Sequence, residues 1–98
     1  MKVKLLDKSL ERLFTSEAHK LKLPVSVISS AQRKIAFMQN CNSELDLRNW
    51  KSLHYEALAG DKKGLKSIRL NDQWRLVFKL VEKKEATEIH LLSVEDYH

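Results

Sequence analysis

GDKKGLKSIRLNDQWRLVFKL, residues 60–80, is the stretch that decides how this chain folds. Ile68 and Leu70 alternate with Ser67 and Arg69, and Trp74, Leu76, Phe78 and Leu80 alternate with Arg75, Val77, Lys79 and Val81. A period of two marks strands with one buried face. Two such strands joined by Asn71, Asp72 and Gln73 form a hairpin. With all three residues in the loop, Leu70 faces Trp74, Ile68 faces Leu76 and Arg69 faces Arg75, so one side is apolar and the other carries both arginines. A two-residue loop would slip the register by one and mix the faces. The three-residue loop is expected to use Asn71 or Asp72 at positive φ, which these residues tolerate.

The same stretch concentrates cations. Lys62, Lys63, Lys66, Arg69, Arg75 and Lys79 stand against Asp61 and Asp72, which accounts for most of the formal charge of +5. Two guanidinium groups side by side repel unless an anion comes between them, so Arg69 and Arg75 are read as a phosphate clamp. Lys62, Lys63, Lys66 and Lys79 are expected to bind or steer phosphate around it. A pI of 9.4 favours an anionic partner, nucleic acid before membrane, because no strongly basic amphipathic helix is present.

At 98 residues the chain makes one domain, residues 1–98, able to bury about 60 to 65% of its unfolded surface. A content of 43% hydrophobic and 32% charged residues suits a cytoplasmic globule, with no signal-peptide pattern at the start. The single Cys41 excludes an internal disulfide and a multi-cysteine metal site. His19, His54, His90 and His98 lack ligand-like spacing, so neither metal nor cofactor is expected.

Around the hairpin, residues 2–6 read as an edge strand. Asp7 caps a first helix in which Leu10, Leu13, Phe14, Ala18 and Leu21 recur at helical spacing. Pro24 opens a second helix with Ile28, Ala31, Ile35 and Met38 in one stripe, running to about Asn40. Residues 43–50 form a short helical turn capped by Ser43, with Leu45, Leu47 and Trp50 closing the core. Residues 53–58 are an ambiguous strand, residues 81–86 a charged turn, and residues 87–94 a further, more central strand. The order implies an α+β fold, with two N-terminal helices packed on one face of a small, twisted, mainly antiparallel sheet. Trp74 is expected in the core and His90 as a hydrogen-bonded strand histidine.

The last residues, Glu95, Asp96, Tyr97 and His98, follow a buried-looking strand and supply a carboxylate, a phenol and an imidazole for proton transfer or base stacking. Together, GD-x-KG, SIR-x-N-x-x-WR and the terminal DYH resemble the plasmid-maintenance killer proteins, the HigB branch of the RelE-like toxins, over nearly the whole chain. The resemblance implies a toxin of a type II toxin–antitoxin system. Such a toxin enters the A site of the 70S ribosome, cleaves mRNA without a metal, and is neutralised by a cognate helix-turn-helix antitoxin of HigA type. Carried over by position, Arg69 and Arg75 match the family's arginines, Lys63 its lysine after GD, and Asp96, Tyr97 and His98 its catalytic trio. The chain departs from the pattern at Leu65 and Lys66, where relatives often have aromatics, at Ala59, where many have lysine, and at Glu56, where one subgroup has a histidine. His54 lies two positions earlier than that histidine.

In this scheme the 2′-hydroxyl attacks the adjacent phosphate. His98 serves as acid or base, Asp96 orients it or acts as the other proton partner, Arg69 and Arg75 hold the phosphate, and Tyr97 stacks on or orients a base. Two other functions stay open. One is a non-catalytic toxin of the same fold that blocks a target such as gyrase or the ribosome. The other is a generic RNA-binding module, for which an exposed aromatic platform would be expected.

Overall fold

The computed structural model describes residues 1–97; His98 and the role expected of it lie outside the described residues. Five strands, β1 (Lys2–Leu5), β2 (Glu56–Ala57), β3 (Lys66–Arg69), β4 (Trp74–Glu82) and β5 (Thr87–Asp96), form one sheet in the order β1-β5-β4-β3-β2. The β1–β5 pair is parallel and the others are antiparallel. The α+β class, the mainly antiparallel sheet and the interior place of the last strand are as expected. The last strand runs two residues beyond its expected end, to Asp96.

The hairpin pairs Ile68 with Leu76 and Arg69 with Arg75. The amide of Leu70 donates to the carbonyl of Trp74 at 2.8 Å, which leaves residues 71–73 as the loop. Positive φ is not what turns it: among the described residues the non-glycine positions with positive φ are Lys22 and His54. Instead the Asn71 side-chain oxygen accepts from the amides of Gln73 (2.9 Å) and Trp74 (2.8 Å), so an Asx turn replaces the left-handed residue.

Three helices accompany the sheet: α1 (Lys8–Glu11), α2 (Val25–Asn40) and α3 (Glu44–Asn49). Ile68, Leu76, Phe78, Ile89 and Leu91 from the strands bury against Leu10, Leu13, Val27, Ala31, Ile35 and Met38, each large side chain contributing about 1.5 to 3 kcal/mol. α2 follows its apolar stripe, with Pro24 one residue outside as N-cap, its carbonyl taking the amides of Val27 and Ile28.

The long first helix does not form. α1 ends after one turn and is followed by 3-10 turns at Arg12–Phe14 and Ala18–Leu21. The cause lies in two competing partners for the backbone. The Thr15 hydroxyl donates to the Arg12 carbonyl at 2.9 Å, and the Gln32 side-chain amide takes the Leu13 carbonyl from across the helix interface. Phe14, expected inside, is about half exposed.

α3 forms where expected, but Ser43 makes no side-chain cap bond; Asp46 instead accepts from the Asn42 amide at 2.8 Å. Leu47 is buried, whereas Leu45 and Trp50 are exposed, Trp50 resting on Phe37 with ring centroids 4.8 Å apart. Trp74 packs against the core and the His90 ring meets Glu88 at 3.0 Å, both as expected. Among the described residues no helix is long and apolar enough to cross a membrane.

Candidate active site

Cross-strand pairing sets Arg69 and Arg75 on one face of the sheet, but each guanidinium already has partners within the chain. Arg75 donates from Nε to the Ser67 hydroxyl at 2.8 Å and from Nη2 to the His54 carbonyl, with Glu56 at 3.8 Å. Its side chain is only 13% exposed. Arg69 pairs with Asp72, donates from Nε to the Asn71 carbonyl at 3.2 Å, and stands 3.4 Å from His54 Nε2. Because a guanidinium can only donate, that contact requires the lone pair of the imidazole nitrogen. Its side chain is 36% exposed. The carbonyl of Arg69 is held from behind by the ammonium of Lys34 on α2 at 2.5 Å. Burial, followed by the nearby Arg33, Arg69 and Arg75, makes that ammonium give up its proton more readily than an ordinary lysine.

A cleft of about 300 Å³ opens over this pair, lined by His54, Glu56, Arg69, Asp72, Arg75 and Tyr97 among others. His54 reaches it because its backbone is left-handed, at φ 47°, after the 3-10 turn Lys51–Leu53.

The carboxyl end of the chain is brought to the same place by one loop residue. Gln73 donates through its side-chain amide to Asp96 Oδ2 at 3.0 Å and accepts the Tyr97 amide on its carbonyl. A bulge then chooses which terminal side chains face the arginines. Phe78 pairs with Leu91 but Val77 with Ser93, so Leu92 is an extra residue in β5. Beyond it Val94 opposes Leu76 on the apolar side and Glu95 opposes Arg75. Tyr97 follows Glu95 onto the arginine face and lines the cleft, whereas Asp96 opposes Trp74 and does not line it.

The lysines divide. Lys62 pairs with Glu95 and stands 5.6 Å from the centre of the Tyr97 ring. Lys63 is exposed beside the 3-10 turn Gly60–Lys62. Lys79 shares the arginine face but lies four residues along β4 from Arg75, about 13 Å away at strand spacing. Lys66 pairs with Phe78 on the opposite face, where its charge helps keep the Glu44 carboxyl acidic behind the larger influence of the Tyr55 hydroxyl. Among the sequence-derived site residues, then, Arg69, Arg75 and Tyr97 meet in the cleft, Asp96 is docked at its end, and Lys66 stands apart.

The sequence reading does not place Gln73, His54, Glu56 or Lys34 among the site residues. The spacing of Ile89, Leu91 and Val94, which breaks period two, was the one sequence signal that could have shown the bulge and so the facing of Glu95 and Tyr97. Among the described residues no group of three or more His, Cys, Asp and Glu side chains is placed to hold a metal ion.

A YoeB/ParE toxin from Agrobacterium tumefaciens superposes over 100% of both chains with a TM-score of 0.62 at 13% identity. YafQ from E. coli strain BL21(DE3) superposes over 97% of this chain and 91% of its own with a TM-score of 0.62 at 10% identity. The YoeB–YefM complex from Staphylococcus aureus matches over 100% of this chain and 97% of the other with a TM-score of 0.56 at 15% identity. Those identities carry the fold alone. In sequence the chain is 33% identical over 82 residues to Toxin HigB-1 of Vibrio cholerae, a match covering 84% of this chain and 86% of the relative. The model of the HigB-like toxins, described as the RelE-like toxin of type II toxin–antitoxin system HigB, matches residues 3–98, and the chain belongs to that family.

Proposed function

We propose that the protein is the ribonuclease component of its toxin–antitoxin pair, a ribosome-dependent endoribonuclease that cleaves mRNA in the A site by attack of the 2′-hydroxyl on the adjacent phosphate. The observation that carries this reading is the meeting of Arg69, Arg75, His54 and Tyr97 around one cleft, with Asp96 docked beside it on Gln73. Cleavage of this kind needs positive charge over the developing phosphorane, a base at the 2′-oxygen and an acid at the leaving 5′-oxygen. Arg75, fixed by Ser67 and the His54 carbonyl, is preorganised to take the phosphate, and Arg69 joins it once its exposed pair with Asp72 opens. His98 serves as acid or base with Asp96 as its partner. Within the described cleft His54 and Glu56 are further proton acceptors. The Tyr97 ring offers a stacking face to a base. Lys63 and Lys79 add steering charge.

The natural partners in this reading are the 70S ribosome with its message, in the cytoplasm, and a cognate antitoxin of helix-turn-helix type that covers or distorts the cleft. Purified ribosomes carrying a message, incubated with and without the protein and mapped for 5′ ends, test it. New 5′ ends in A-site codons that vanish on deleting residues 96–98 are the expected result. Growth inhibition that survives the same deletion, with no new 5′ ends, would instead identify a non-catalytic binder.

A further inference from the structure

Lys62 sits between two glycines in left-handed backbone, Gly60 at φ 66° and Gly64 at φ 92°. The turn they permit carries Lys62 across to the end of β5. There its ammonium is satisfied by Glu95, a residue 33 positions away in sequence. The Glu95 carboxylate is held on its other oxygen by the Ser93 hydroxyl at 2.6 Å. The same ammonium stands over the ring of Tyr97, 5.6 Å from its centre, within the range of a cation–π contact. Both members of the pair are tuned as partners. The Glu95 hydrogen bond holds the Lys62 proton more firmly than in an ordinary lysine, and Lys62, followed by Ser93, keeps the Glu95 carboxyl more acidic than usual. A cation so neutralised presents little net charge to a phosphate.

We infer that Lys62 is a positioning residue, clasped by Glu95, that holds the Tyr97 ring against the arginine cleft, and that it is not a ligand of RNA phosphate. The backbone of Tyr97 is already fixed by its amide bond to the Gln73 carbonyl. What that bond leaves undetermined is the direction of the ring, and the Lys62–Glu95 pair determines it. The pair lies on the arginine side of the sheet, since Glu95 opposes Arg75. The inference deepens the ribonuclease reading and rests on it for its consequence, because a misdirected Tyr97 then costs RNA binding and cleavage.

The test uses the whole chain with K62M, K62R, E95Q, Y97A and the K62M/Y97A pair. Binding of a labelled short single-stranded RNA is measured across a salt series, and the aromatic resonances of Tyr97 are followed without RNA. A clasp requires the Tyr97 signals to move in K62M and E95Q and to return in K62R. With Tyr97 on the RNA, as the ribonuclease reading has it, E95Q also weakens RNA binding as K62M does, the double variant binds no worse than Y97A, and the slope of log K against log salt stays at the wild-type value in K62M. A phosphate ligand gives the opposite signs: E95Q binds more tightly, K62M adds to Y97A, and the slope falls by about 0.7. Unmoved Tyr97 signals in K62M overturn the clasp whatever the RNA data say. Moved signals together with a Y97A protein that binds and cleaves normally would leave the clasp standing and remove Tyr97 from the ribonuclease reading.

Discussion

The two flanks of the cleft are held in different ways. On the hairpin flank, Arg75 is tied to the Ser67 hydroxyl and to the carbonyl of His54, and is almost enclosed. On the carboxyl-terminal flank, Tyr97 depends on a side-chain pair between Lys62 and Glu95, whose side chains are 41% and 31% exposed. Bonds to backbone and to a buried hydroxyl preorganise a group at little further entropic cost, whereas an exposed ion pair is screened and must immobilise a long side chain. One flank is therefore a rigid electrostatic platform. The other rests on a pair that solvent screens.

The sharpest way to break this contrast is to remove the platform. Arg75→Met is expected to lower A-site cleavage by about 10² to 10³ fold. It should also cost about 1 to 3 kcal/mol of stability, because the Ser67 hydroxyl and the His54 carbonyl lose their partner. Thermal denaturation beside the cleavage assay reads both, and an R75M protein of wild-type stability would contradict the platform. Arg69→Met is expected to lower cleavage by about 10² fold while changing stability by less than about 1 kcal/mol, since its pair with Asp72 is exposed.

Removing the competing carboxylate sharpens the contrast in the other direction. Asp72→Asn frees the Arg69 guanidinium and is expected to tighten RNA binding by about two- to fivefold, whereas weaker binding would show Asp72 to be part of the site.

The smallest effect is a pH dependence. Glu95 has a folded-state carboxyl value below the ordinary 4.5, so its stabilisation is present above 4.5 and is lost as pH falls through the lower, folded value. Lys62 has a folded value above the ordinary 10.5, so its share is present below 10.5 and is lost as pH rises through the folded value. The stability difference between wild type and K62M should therefore be constant across neutral pH and disappear at the acid end. Denaturant titrations at neutral and acid pH measure it, and a difference that persists below the folded value of Glu95 would deny the pair any part in the clasp.

Much of the fold could be read from residue order where the physics is local. The arginine pairing followed from parity alone: three loop residues between two period-two strands place Arg69 opposite Arg75. The apolar stripe of α2 was equally plain, because the segment from Val25 to Asn40 holds neither glycine nor proline. The first helix failed on the same logic, since its spacing was helical while the Thr15 hydroxyl and a glutamine from another helix claimed its carbonyls.

Of the candidate site, residue order alone settles which face of the hairpin carries the guanidinium groups and that the carboxyl end leaves a buried strand. What those groups meet is set by the packing of segments far apart in the chain. Gln73 docks Asp96 and the amide of Tyr97, the extra residue Leu92 turns Glu95 and Tyr97 toward the arginine side, and two left-handed glycines deliver Lys62 to Glu95. The difference is one of range. Side-chain alternation propagates along a strand from one residue to the next, whereas a bulge, a loop contact and an ion pair between residues 62 and 95 exist only after distant segments have packed together.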